Sequence, residues 1–138
     1  MPVSCTSSGE MLMANGSVVR GADEVPFQPV AAGKAARMQV LLGQAEGAPH
    51  FAMRRFRMEA GGGMPLHTNQ VEHEQYVLCG RARVAIGDAV HEVSAGKVLL
   101  IPAGVPHSYE VIDAPFEFLC LVPNLADKIE VVRDSKGC

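Results

Sequence analysis

Residues 61–80 read GGGMPLHTNQVEHEQYVLCG. Three glycines and a proline stand ahead of His67 and His73, and a strand-like run, Gln75-Tyr76-Val77-Leu78, stands behind them. His67 and Asn69 are two apart, so on an extended strand both side chains leave one face. His73 follows a tight bend through Gln70, Val71 and Glu72 and opens the next strand, whose same face continues through Gln75 and Val77. Further on, Gly96 to His107 repeats the pattern of turn residues followed by a histidine at a strand start. Three imidazoles at strand starts can converge on one ion. Imidazole suits iron, nickel, copper and zinc, and manganese less well. Asn69 would add a neutral carbonyl oxygen or leave that position to water. By alternation Glu72 and Glu74 point away from His73, with Glu72 a reserve ligand should the bend rotate it inward. His50 and His91 read as ordinary polar side chains.

Outward from this stretch, the chain reads as short strands divided by turns. Ser17 to Arg20 is a short strand, and Asp23 to Gly33, with two prolines, an extended edge segment. Arg37 to Leu42 and Phe51 to Met58 are strands. Ala82 to Ile86 and Val90 to Val93 flank Gly87-Asp88, a hairpin turn. Val98 to Ile101 is a buried strand and 102–106 a turn. His107 to Ile112 and Phe116 to Val122 are strands separated by Asp113-Ala114-Pro115. Asp127 to Val132 reads as a last strand or a short helix. No stretch carries a helical period, and the many turn signals point to an all-β sandwich or barrel. The expected organisation is a flexible N-terminal arm at 1–16, a single barrel at 17–132 and a polar tail at 133–138.

The chain has 138 residues, with fourteen glycines, nine prolines and a formal charge of −3. That charge, the lack of a Lys/Arg stripe and the scarcity of aromatics exclude a nucleic-acid surface. No apolar run approaches the ~20 residues of a membrane span. Nor does a basic region followed by an apolar run mark a signal peptide. Cys5, Cys79, Cys120 and Cys138 have no CxxC spacing. They read as reduced thiols of a cytosolic protein.

The two histidine segments together resemble the paired motifs of the cupin superfamily. Gly61-x5-His67-x-Asn69-x3-His73-x6-Gly80 is similar to the first motif, G(x)5HxH(x)3-4E(x)6G, and Gly96-x5-Pro102-x-Gly104-x2-His107 to the second. The resemblance extends over 37–123, including Met53 to Phe56 and Phe118 to Pro123. The stretch looks most like that of small, manganese-binding four-histidine cupins. The resemblance implies a jelly-roll barrel, often a homodimer, with one divalent transition metal near its mouth. It departs from the family pattern at Asn69, where a second histidine is usual, and at His73, where glutamate is usual.

The resemblance places His67, Asn69, His73 and His107 around a metal: manganese, iron, nickel, copper or zinc. It puts Phe118 and Cys120 on the strand lining the pocket, and alternation puts Gln75 on the face of His73 and Tyr109 on that of His107. Alternation in FAMRRFRM puts Arg54 with Ala52, Phe56 and Met58, the more apolar face; the reverse register would put Arg54 outside. An inward arginine is costly to bury unpaired, which suits an anionic ligand. The expected function is a metal-dependent, dioxygenase-type oxidoreductase. Its substrate is a small carboxylate-bearing molecule, with Arg54 as anion handle and Tyr109 and Cys120 beside it. The alternatives are a non-catalytic small-molecule sensor and a cupin isomerase or lyase.

Overall fold

A computed structural model describes residues 3–5, 11–13 and 15–132. Three short strands, β1 (Val3–Cys5), β2 (Met11–Met13) and β3 (Val18–Val19), form a small antiparallel sheet. The remaining strands are β4 (Gln28–Pro29), β5 (Lys34–Leu42), β6 (Phe51–Thr68), β7 (His73–Ile86), β8 (Ala89–Ser94), β9 (Val98–Ile101), β10 (His107–Pro123) and β11 (Glu130–Val131). All their pairings are antiparallel. Two short 3-10 turns, Ala22–Glu24 and Gln44–Glu46, complete the described secondary structure, and none of it is α-helical. Among the described residues no helix is long and apolar enough to cross a membrane. The tail at 133–138 lies outside the described residues.

Three long strands build both layers of the jelly roll. The first half of β6 (51–58) pairs with the second half of β10 (116–123), which pairs with residues 74–79 of β7. This layer is flanked by β5 and β9. The second half of β6 pairs with 107–110 of β10, which pairs with 83–86 of β7, flanked by β8 and β11. Each long strand therefore crosses from one layer to the other at a break in register, and the layers close on a common core. Met58, Val77, Ala82, Val84, Ile101, Phe116, Phe118 and Cys120 are buried there.

These crossings correct two sequence expectations. The glycine run after Met58 and the Asp113-Ala114-Pro115 segment read as breaks between strands; both lie inside strands. A bend is enough to carry the chain across, because glycine lets backbones approach where no side chain fits. Gly80 has φ +80°, and a Cβ there would stand 2.2 Å from the Pro115 carbonyl oxygen. At Gly63 the corresponding distance to the Tyr109 carbonyl oxygen is 2.1 Å. The two-residue turn at Gly87-Asp88 is where the sequence places it, between β7 and β8.

Candidate functional site

Inward residues of β6, β7 and β10, with others from β4, β5 and the segment before β11, surround a cavity of about 230 Å³. His67, Asn69, His73, His107, Arg54, Gln75, Tyr109 and Phe118 all line it. Cys120 does not, and lies fully buried behind Arg54 and Gln75. The reserve candidate Glu72 is exposed and outside the cavity. His50 and His91 are exposed as well.

Register brings the imidazoles together. His107 is the Cα partner of His67 across β10 and β6, and their ring centroids are 4.2 Å apart. The His73 ring lies edge-on to His107 at 5.7 Å. His67 Nδ1 is 2.7 Å from the Pro65 carbonyl oxygen, and His107 Nδ1 is 2.9 Å from that of Val105. A carbonyl only accepts, so each Nδ1 carries the proton and, in the neutral ring, each Nε2 keeps a lone pair. Burial, then the charge of Arg54, lowers the His73 pKa to about 3, and burial lowers that of His107 to about 4. Both rings are neutral at pH 7, the form that ligates a metal. His73 Nε2 and His107 Nε2 are buried without a hydrogen-bond partner. Still, no three His, Cys, Asp or Glu side chains among the described residues form a ready metal cluster.

Asn69 is oriented by a residue that no sequence motif marks. Asn69 Nδ2 donates to Asp127 Oδ2 at 3.0 Å, and Asp127 Oδ1 accepts from the backbone N–H of Gln70 at 2.7 Å and of Lys128 at 2.8 Å. Partial burial opposes the charge of Asp127, but these hydrogen bonds outweigh it and its pKa is lowered. A carboxylate accepts only, so the amide nitrogen must face it and Asn69 Oδ1 turns away, buried and unpartnered. Asp127 is 58 residues from Asn69 in sequence, beyond the reach of any local pattern.

Arg54 is inward, in the first of the two registers its strand allows. Its Nη2 donates to Cys120 Sγ at 3.2 Å, and its guanidinium lies 5.0 Å from the Phe56 ring centroid. Its Nε is buried without a partner, and no carboxylate pairs with it among the described residues. Gln75 Nε2 donates to the Tyr109 hydroxyl at 2.7 Å and approaches Cys120 Sγ at 3.6 Å. Burial raises the pKa of Tyr109, so its hydroxyl stays protonated while accepting from Gln75 and keeps a proton to donate. Burial likewise raises the Cys120 thiol, which argues against a thiolate nucleophile. Phe118 stacks between Phe56 at 5.1 Å and Tyr109 at 5.3 Å. Cys79 and Cys120 are free thiols.

Residues 54–122 match the family model described as Cupin domain. No curated protein matches at the level of sequence. Among solved structures, the polyketide cyclase RemF from Streptomyces resistomycificus is similar, with TM-score 0.76 and 26% identity over 82% of this chain and 83% of that one. Rru_A2000 from Rhodospirillum rubrum, a cupin-2 domain, aligns with TM-score 0.73 and 24% identity over 86% and 82% of the two chains. A variant oxalate decarboxylase from Bacillus subtilis aligns with TM-score 0.64 and 21% identity, over 74% of this chain and 28% of that one.

Proposed function

The chain belongs to the cupin family, and on that footing we propose that it is a metal-dependent enzyme of dioxygenase type acting on a small carboxylate-bearing substrate. One observation carries this reading. Asn69 Oδ1, His73 Nε2 and His107 Nε2 are three buried, unpartnered atoms on residues lining one cavity. An unsatisfied buried polar atom costs about 1–3 kcal/mol, so three together favour a bound cation that satisfies them. His67, His73 and His107 would hold one divalent ion of manganese, iron, nickel, copper or zinc, with Asn69 Oδ1 beside them. When bound, the ion supplies Lewis acidity or a redox couple.

The other side chains have their own tasks. Arg54 binds the substrate carboxylate through its free Nε–H and a neighbouring guanidinium N–H. Tyr109 donates its hydroxyl proton to an oxygen that gains negative charge, and Gln75 holds the phenol in place. Cys120 positions Arg54 from behind. Phe56 and Phe118 exclude water from that end of the cavity.

Two similar structures are named as a cyclase and a decarboxylase, which favours a lyase or isomerase as the second reading. Elemental analysis of the purified protein before any metal is added tests the centre. A near-stoichiometric transition metal that is lost in His107→Ala is expected; equal metal content in the variant removes the assignment. Oxygen uptake with small carboxylates separates the two reaction types, since a lyase consumes none. A homodimer is the expected assembly, measurable by light scattering after gel filtration.

A further inference from the structure

We propose that the cavity selects a monocarboxylate with a compact apolar body, a ring or a branched chain, over dicarboxylates and polyhydroxylated acids. This rests on the reading of Arg54 as the anion site and extends it to the rest of the molecule that Arg54 would hold.

The first argument is a count of free polar groups. Arg54 is the one Lys or Arg side chain lining the cavity among the described residues, so with the proposed ion chelated away a single carboxylate finds a cationic partner. The Asn69 amide N–H is committed to Asp127, and the Gln75 amide N–H to Tyr109 and Cys120. The Nδ1 atoms of His67 and His107 face backbone carbonyls. Besides Arg54 and the Tyr109 hydroxyl, only the second Asn69 amide N–H and the one ring N–H of neutral His73 remain as side-chain donors, both at the histidine end of the cavity. The free polar atoms gather at the histidine end, so a substrate bearing hydroxyls along its whole body would bury those that face the apolar wall unpaired, and sites reject groups they cannot pair.

The second argument is the remaining wall. Met38, Met58, Met64, Phe56, Phe118 and Ile129 line it with thioether, ring and hydrocarbon. Methionine adapts its unbranched chain to irregular apolar shapes and contacts ring edges through sulfur. A cavity of about 230 Å³ exceeds the ~150 Å³ that suffices for benzene in an apolar interior. A phenyl ring therefore fits, with room for its carboxylate at Arg54.

Isothermal titration calorimetry of the purified protein with benzoate, phenylacetate, benzyl alcohol, malonate and gluconate tests this, each run with and without prior chelation. In the chelated protein the two aryl carboxylates are expected to bind at least about tenfold more tightly than the other three. Arg54→Met should lower benzoate affinity by about tenfold or more and leave benzyl alcohol nearly unchanged. Arg54→Lys keeps the charge, and partial recovery in it shows that the loss in Arg54→Met is not misfolding. Met38→Asp, which puts a carboxylate on the apolar wall, should weaken benzoate as well. Malonate or gluconate binding the chelated protein as tightly as benzoate overturns the proposal. So do equal affinities for benzoate and benzyl alcohol, an unchanged Arg54→Met, or no benzoate binding at about 10 mM. Arg54-dependent benzoate binding in a protein that holds no metal would remove only the metal centre; a metal-bearing protein indifferent to benzoate would remove only this inference.

Discussion

The two faces of the β5–β6–β10–β7–β9 layer each hold an arginine-centred cluster, and the clusters are completed differently. Arg55 and Arg57 point outward from β6 and share Glu117 of β10, a buried carboxylate with both oxygens occupied. Arg57 Nε continues to Glu59 at 2.6 Å, and Arg37 meets Glu59 at 3.2 Å. Arg54 leaves the same strand on the inward face and finds a thiol, a ring and no carboxylate. The outer cluster is closed within the protein and ties β5, β6 and β10 together. The inner one is left open, with unpartnered atoms on Arg54, Asn69, His73 and His107. In one sheet, complete pairing marks a structural cluster and incomplete pairing marks a place where a ligand can finish the set.

The contrast is broken most directly at Glu117. Glu117→Ala strands two half-buried arginines, and a loss of about 3 kcal/mol is expected in urea unfolding, because removing one partner of a buried ion pair exposes its full desolvation cost. A loss well under about 1 kcal/mol would put Glu117 among ordinary surface ion pairs.

Acid should act on the inner face. His73 and His107 have folded pKa values of about 3 and about 4, below the ordinary 6.5. Between those values and 6.5 the unfolded chain binds protons that the folded chain does not, so stability falls as pH drops below 6.5. The slope reaches at most about 2.7 kcal/mol per pH unit when both rings contribute. Denaturant melts from pH 7 to 4.5 measure it, and His73→Gln should flatten the curve. A flat wild-type profile would mean that these rings do not stay neutral.

Asp127 sharpens the comparison from behind Asn69. Asp127→Ala should weaken metal retention about 10- to 100-fold, the usual effect of losing a group that orients a ligand. Asp127→Asn, whose carbonyl can still accept from Asn69, should recover most of it. Competition against a chelator reads both variants, and identical retention in Asp127→Ala would show that Asn69 needs no such anchor. The smallest expected change is in stability for Arg54→Met: within about 1 kcal/mol of wild type, or slightly more stable, since a half-buried guanidinium with no carboxylate partner is replaced by an apolar chain. A loss as large as that of Glu117→Ala would erase the distinction between the two faces.

The all-β class, the turn at Gly87-Asp88, and the placing of His73 and His107 at strand starts were legible in the unfolded order of residues, whereas His67, also expected at a strand start, falls near the end of β6 because the glycine run before it continues that strand. Glycine, proline and period-2 alternation act over a few residues, so their meaning survives without the fold. Three other features needed the assembled barrel. Alternation along Phe51 to Met58 left two registers for Arg54, and pairing of β6 with β10 chose the one that faces Cys120. The same pairing set Glu117 opposite Arg57 and made it the buried centre of the outer cluster. Asp127 met Asn69 only when the chain beyond β10 folded back along β6. Each of these is a charge or polar group matched across strands distant in sequence. Which groups meet depends on register and layer crossing, set by the packing of the whole barrel and not by any short stretch.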